Sequence, residues 1–206
     1  MLVKNLGTID RLVRAFLAEL SLLIAFFWAG RAWQMVLYLL AFVLVFQAAT
    51  GVCGLYNLIR RNTCERIKRK DRRLVIGALV LMVLVLGAGS YASAIVTKNI
   101  LKADIVSVEE PYNLTMIITG QNQMNESISQ YERLNRSIVA FDSKYSEYRP
   151  FVVKSDESFH GDVMNISRIV VSARDNIYAG RLSAAHDILV GVGPILQGIK
   201  MHIGMD

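Results

Sequence analysis

The chain has 206 residues, of which 53% are apolar and 19% charged, with a formal net charge of +6 and a mean hydropathy of +0.38. An ordinary soluble domain is about 45–50% apolar even with glycine counted, so part of this chain belongs in lipid. The positive charge does not point to nucleic acid: eight of the 23 basic residues fall between Arg60 and Arg73, beside an apolar run and without interleaved aromatics, which is a topology signal.

In chain order, the N-terminal segment carries Lys4, Arg11 and Arg14 ahead of an apolar run from Ala15 to Gly30 that contains Glu19. A second run, Met35 to Ile59, contains Gln47, and the intervening "GRAWQ" is long enough only for a tight turn. The pair predicts a transmembrane helical hairpin with both ends on one side of the bilayer. It is not read as a cleavable signal peptide, because the first run leads into a second span and not into a small-residue cleavage site. A carboxylate within a span is either a proton or ion site or a group that pairs near the interface. Glu19 is therefore a candidate intramembrane polar site, with Arg11 and Arg14, one to two turns away, as the expected neutralising partners.

The stretch "GVCGLYNLIRRNTCERIKRKDRR", residues 51–73, holds both cysteines of the chain and the basic cluster. Arg60, Arg61, Arg66, Lys68, Arg69, Lys70, Arg72 and Arg73 are candidate contacts for anionic lipid headgroups, each contributing about 1 kcal/mol near such a surface. The next segment, Leu74 to Val96, is twenty-three residues without a charge. As a helix it is roughly 35 Å long, enough for a hydrocarbon core of about 30 Å. Its small residues Gly87, Ala88, Gly89, Ser90 and Ala92 would let another helix approach closely. Counting lysine and arginine places the N-terminus and the basic loop in the cytoplasm, and the hairpin turn and everything after Val96 outside. Cys53 and Cys64 then face a reducing compartment, where stable disulfides are rare, and two cysteines without a nearby histidine cannot complete a tetrahedral zinc site. They remain as candidate reactive thiols, Cys64 favoured as thiolate by its basic neighbours, against a reading of Cys53 as apolar filler.

The opening "VKNLGTIDRLVRAFLAELSLLIAFF" and the later "ATGVCGLYNLIRRNTC" resemble the small YgaP-like inner-membrane family, in which an N-x-G-x-x-D-R opening precedes a two-helix hairpin and a T-G-x-C-x-L-Y…N-T-C ending. The matching residues are Asn5, Gly7, Asp10 and Arg11 at one end, and Thr50, Gly51, Cys53, Leu55, Tyr56, Asn62, Thr63 and Cys64 at the other, so the likeness covers about residues 3–64. Two departures stand out: Gly54 replaces a usual proline, and Glu19 interrupts a usually apolar span. The family is often attached to rhodanese sulfurtransferase domains, so the resemblance implies a link to sulfur chemistry. No cysteine follows position 64, so only Cys53 or Cys64 could carry persulfide chemistry here.

Beyond the third span, Pro111 is expected to start a helix and Gly120 to end one. Met124, Ile128, Tyr131, Leu134, Ile138, Phe141, Tyr145 and Tyr148 then recur at spacings of three and four, the signature of a long amphipathic helix ended by Pro150. A second such helix carries Phe159, Val163, Ile166, Val170, Ala173 and Ile177, with Gly180 as its C′ residue. A third, from near Ser183, carries Ala185, Leu189, Val192, Leu196, Ile199 and Ile203, and Gly191, Gly193 and Pro194 predict a kink in it. With the 98–120 segment or an extension of the third span as a fourth member, these make an antiparallel bundle that resembles uncharacterised periplasmic helical domains.

The expected fold is thus all-α: an integral membrane protein with a transmembrane hairpin (1–64), a basic cytoplasmic loop (65–73), a third transmembrane helix (74–97) and a C-terminal extramembrane antiparallel bundle (98–206). P-loop, G-x-G-x-x-G, H-E-x-x-H and G-x-S-x-G patterns are absent. Glu109 and Glu110 read as a solvated turn before Pro111, and the sequons at Asn113, Asn125, Asn135 and Asn165 as chance. Haem would require axial ligands drawn from His160, His186 and His202 with Met116, Met124, Met164 and Met201; in an up-down-up arrangement His202 falls near Tyr145 and Tyr148, away from Met124. The leading expectation is a non-enzymatic protein of a bacterial inner membrane, without cofactor or metal. It would be an accessory, scaffold or assembly subunit whose partners are the bilayer and other membrane or periplasmic subunits, with homo-oligomerisation open and no nucleic acid. The thiol or persulfide protein acting through Cys53 and Cys64 is the alternative, and a b-type haem carrier the third.

Overall fold

A computed structural model describes residues 4–59, 63 and 72–205. Its helices are α1 (Thr8–Phe27), α2 (Arg31–Thr50), α3 (Gly54–Leu58), α4 (Arg72–Gly120), α5 (Met124–Tyr145), α6 (Phe159–Tyr178), α7 (Leu182–Leu189) and α8 (Val192–His202), with a 3₁₀ turn at Phe151–Val153. There is no strand among the described residues, as the all-α expectation requires. The chain divides into two compact units, Met1–Ala94 and Ile95–Asp206, and α4 contributes to both.

In the first unit α1 and α2 form a hairpin of two 20-residue helices, each about 30 Å long and so matched to the hydrocarbon core. The turn is Trp28–Gly30, earlier than "GRAWQ" as a whole suggests, and Gln34 braces it by donating to the Ala25 carbonyl at 3.1 Å. The buried residues of the two helices are, apart from Phe27, small: Ala18, Ser21 and Ala25 on α1 and Ala41 on α2, which permit close backbone approach. The second span ends at Thr50 and not at Ile59. Gly51 adopts φ +73°, the left-handed conformation that closes a helix, and donates its N–H to the Gln47 carbonyl. Within α4, Val75, Ala78, Met82, Val85, Gly89 and Ser93 form a half-buried stripe at spacings of three and four. This stripe meets α1 through Gly89 against Leu23 and through Ser93, whose hydroxyl accepts the Trp28 indole N–H at 3.1 Å. Gly87 has nothing near it, so only part of the small-residue set is used within the chain.

Among the described residues, Arg31–Thr50, Arg72–Gly120 and Leu182–His202 are long and apolar enough to cross a bilayer. The expected first span, α1, is not one of them, because Asp10, Arg11, Arg14 and Glu19 fall within it. Conversely, Leu182–His202 owes its apolarity to a buried face: Leu182, Ala185, Leu189, Val192, Leu196 and Ile199 all line the core of the second unit.

That second unit is a four-helix bundle built from the C-terminal part of α4, α5, α6 and the α7–α8 pair. Every residue expected on the inner faces of α6 and α7–α8 is buried, as are Tyr131, Leu134, Ile138, Phe141 and Tyr145 of α5, while Met124 is exposed. Gly180 takes φ +73° after α6 as expected, and the kink becomes a break between α7 and α8 at Val190–Gly191. Gly193 gives close approach there, since a Cβ would lie 3.0 Å from the Tyr112 hydroxyl and would have to displace it.

Three expectations are corrected. Pro111 lies inside α4 and does not start a helix. Leu101, Ile105 and Val108 before it and Tyr112, Thr115 and Thr119 after it share one buried face, and burial worth about 1.5–3 kcal/mol for each large side chain outweighs the roughly 3 kcal/mol cost of an internal proline. Glu109 and Glu110 are therefore helical, paired with Lys200 at 2.8 Å and Arg133 at 3.0 Å. Tyr131 and Tyr145 are core residues whose hydroxyls are satisfied there: Tyr131 donates to the Val170 carbonyl at 3.0 Å and Tyr145 to Asp104 at 2.5 Å. Gly120 does end α4, but the left-handed residue of the turn is Asn122, and Pro150 precedes the 3₁₀ turn after α5 has already stopped at Tyr145.

Candidate functional site

The sequence motifs at the two ends of the hairpin close on each other. Asn5 is 4% exposed and uses its whole amide: Oδ1 accepts the Cys53 N–H at 2.8 Å, and Nδ2 donates to the Cys53 carbonyl at 2.9 Å and to Asn57 Oδ1 at 2.8 Å. The Asn5 and Leu6 N–H groups both reach the Gly51 carbonyl, which the left-handed turn at Gly51 leaves available. Thr63 returns to the same place, its N–H on the Asn5 carbonyl at 3.0 Å and its hydroxyl accepting from Gly7 N–H and donating to the Asp10 carboxylate. A Cβ on Gly7 would stand 2.7 Å from the Thr63 carbonyl oxygen, so this position admits only glycine without displacement of backbone. The spacing of Asn5, Gly7 and Asp10 is thus the spacing needed to grip a returning chain.

Arg11 and Arg14 belong to the same clasp and do not neutralise Glu19. The last turn of α2 has carbonyls without intrahelical partners and the negative end of the helix dipole. Arg11 supplies Nε to the Ala48 carbonyl at 2.6 Å and Nη2 to that of Ala49 at 3.0 Å, while Arg14 donates to Gln47 Oε1 at 2.5 Å and lies over the Tyr56 ring. These roles had a sequence signal, arginines one helix length from the end of an apolar run, but a nearby carboxylate was the more obvious partner.

Glu19 consequently stands apart. Both its carboxylate oxygens are shielded from solvent and have no hydrogen-bond partner among the described residues. It occupies the α1 row Ala15–Glu19–Leu23, whose outer members face α4 at Val75 and Gly89. Between those two points the α4 stripe offers only Ala78, Met82 and Val85, with no side-chain donor.

Of the two thiols, Cys53 is 2% exposed and held by Asn5 at both backbone groups. Cys64 lies outside the described residues, as do Arg60, Arg61, Arg66, Lys68, Arg69 and Lys70. Arg72 and Arg73 open α4 and are exposed. Among the described residues no three His, Cys, Asp or Glu side chains converge as a metal site would need.

In the bundle, His186 and His202 are each engaged by a different partner. His186 Nδ1 is 3.0 Å from the Thr119 hydroxyl, and His202 Nδ1 is 2.8 Å from Asp156. Met124 lies against Gly180, at the opposite end of the bundle from His202, as the topology predicted. Burial would raise the Asp156 carboxyl, but hydrogen bonds from Ser158 and His202 outweigh it and hold the group below its ordinary range. Burial is also what pushes Tyr131 up to about 12, and burial with the bond to Asp104 pushes Tyr145 up, so neither phenol ionises near neutrality. Asp104, which anchors Lys144 at 2.5 Å as well as Tyr145, was not singled out by sequence; a lone acid in a helical run carries no signal of its partners.

An all-α membrane protein with a clasped helical hairpin is the class these features define. Residues 2–66 match the family described as "Inner membrane protein YgaP-like, transmembrane domain", in agreement with the motifs at the two ends of the hairpin. That match spans under a third of the chain. No curated protein and no solved structure matches.

Proposed function

We propose that this is a non-catalytic inner-membrane protein that holds a helical bundle at the periplasmic face as an accessory, scaffold or assembly subunit of a larger membrane complex. The observation that carries this reading is the use made of the motif: Asn5, Gly7, Asp10, Arg11, Gly51 and Thr63 are spent on closing the hairpin, and Cys53 is buried beneath them. A motif consumed in architecture supports an anchoring role. The outward faces of α2 and α4, with Trp33, Met35, Leu39 and Phe42 on one and Val80, Val83, Leu84 and Leu86 on the other, supply apolar surface for lipid or partner helices. Both α1 and α2 cross the bilayer in this reading, with the N-terminus and basic loop cytoplasmic, and Trp28 and Trp33 at the turn suit the opposite interface.

The test is purification of the full chain in mild detergent, native electrophoresis, and identification of stoichiometric companions by mass spectrometry. A fixed set of membrane or periplasmic subunits is expected; migration alone or only as a homo-oligomer would overturn the subunit role. A thiol or persulfide function is the second reading, favoured by the position of Cys64 directly after Thr63 and within the basic run, where neighbouring cations favour a thiolate. It predicts rapid alkylation of Cys64 at neutral pH and loss of function in Cys64→Ser, whereas the subunit reading predicts that this variant assembles normally.

A further inference from the structure

At the end of the hairpin where α1 begins and α2 stops, a cavity of about 630 Å³ is lined by Thr8, Arg11, Leu12, Ala15, Ala48, Arg72 and Val75. It falls within the roughly 300–1,000 Å³ typical of small-molecule sites. Among the described residues, the lining combines a carbon-rich wall with two guanidinium groups and a hydroxyl, and includes no acid. Arg11 is fixed there by its bonds to the Ala48 and Ala49 carbonyls, which use two of the five N–H donors a guanidinium carries. Its side chain is thus held in place before any ligand arrives, and a guanidinium presents a fork suited to phosphate oxygens. Arg72, the first residue of α4, is exposed at the same cavity. Depth along the helices sorts the chemistry: Thr8, Arg11 and Arg72 lie toward the helix ends, and Ala15 and Val75 one turn farther in.

We propose that this cavity seats one anionic phospholipid, its phosphate between Arg11 and Arg72 and the start of an acyl chain against Leu12, Ala15 and Val75. Two cations with no acid among the described lining residues favour this lipid over a zwitterionic one, whose ammonium group would meet no counter-charge among them. The site is discrete, unlike a diffuse attraction of the whole basic run to the membrane surface. It rests on the membrane location of the hairpin and not on the subunit role.

The experiment is native mass spectrometry of the full chain released from detergent after incubation with equimolar phosphatidylglycerol and phosphatidylcholine, and separately with inorganic phosphate. One retained phosphatidylglycerol per chain is expected, with no retention of free phosphate. Arg72→Gln should lower that retention about fivefold, as expected for one cation near an anionic lipid, and Ala15→Phe should lower it by obstructing the wall. A Lys68→Gln, Arg69→Gln, Lys70→Gln variant should keep the single bound lipid. Circular dichroism confirms that each variant is folded, and Arg72→Gln, which leaves the clasp untouched, decides the outcome if Ala15→Phe is not. Equal retention of phosphatidylcholine, binding of inorganic phosphate alone, or loss of the bound lipid in the loop variant but not in Arg72→Gln would each overturn the proposal.

Discussion

The two units of this chain solve the burial problem in opposite ways. In the bundle unit, Tyr131, Leu134, Tyr145, Phe159, Ile166, Ile177, Leu189 and Ile199 are removed from solvent by one another. In the hairpin unit, the large apolar side chains point outward and the buried set is mostly small, Ala18, Ser21, Ala25 and Ala41, with Leu6, Phe27 and Cys53 near the ends. The bundle coheres through a hydrophobic core, as a water-soluble domain does. The hairpin coheres through close backbone packing and a polar clasp, because lipid offers no gain for hiding leucine from it.

The largest effects should come from the bundle core. Phe159→Ala is expected to cost about 3–5 kcal/mol and Ile166→Ala about 2–5 kcal/mol by denaturant unfolding of the full chain in detergent. Phe42→Ala, on a residue 68% exposed, should change stability by less than about 0.5 kcal/mol, and a comparable loss there would break the contrast between the units. Next is the clasp. Asn5→Ala strands the Cys53 N–H and carbonyl, at about 1–3 kcal/mol, and should make Cys53 reactive to maleimide in a Cys64→Ser background. If Cys53 stays unreactive while the hairpin melts normally, the clasp is not what holds this end shut.

Glu19 sharpens the same comparison from the other side. Its carboxylate oxygens are shielded and have no partner among the described residues, so Glu19→Leu should stabilise the hairpin by about 1–3 kcal/mol in thermal melts. A loss of stability would instead reveal a partner beyond the described residues. In the bundle, Tyr145→Phe removes one hydrogen bond to Asp104 and should cost about 1 kcal/mol. Smallest is the pair of Asp156 and His202. The Asp156 carboxyl is lowered in the folded state, so its contribution is complete above the ordinary aspartate range and disappears as pH falls through the folded value. His202 is more than half exposed, which limits the pair to about 0.5–1 kcal/mol. Melting temperature should decline below about pH 4 less steeply in Asp156→Asn than in the unmodified chain.

The inner faces of α5, α6 and α7–α8 were legible because a spacing of three and four is the period of a helix, and nothing competes with it in those segments. Segment 98–120 was harder. Pro111 is a local stop signal, and only the burial of Leu101, Ile105 and Val108 on one side and Tyr112 on the other shows why the helix runs through it. The end of α2 was misjudged by nine residues because hydropathy registers Val52, Leu55, Leu58 and Ile59 as apolar, whereas the left-handed turn at Gly51 is a backbone property. The motif positions were recognisable as a pattern, but the pattern did not say what Asn5 and Thr63 touch.

Composition, charge distribution and hydrophobic period by themselves determined the all-α class, the membrane location, the apolar stretches of α2 and α4 and the faces of the bundle helices. These are one-dimensional properties, fixed by how residues repeat along a helix and by what each side chain costs in lipid or water. Tertiary structure decided the rest: that Asn5 closes on Cys53, that Arg11 caps α2 and Arg14 bonds Gln47 while Glu19 has no partner among the described residues, and that the apolar stretch from Leu182 to His202 packs into the bundle core. The clasp bonds join groups 33 or more positions apart, and all three outcomes turn on which of several partners a group meets, a choice settled only when the chain brings the competitors together.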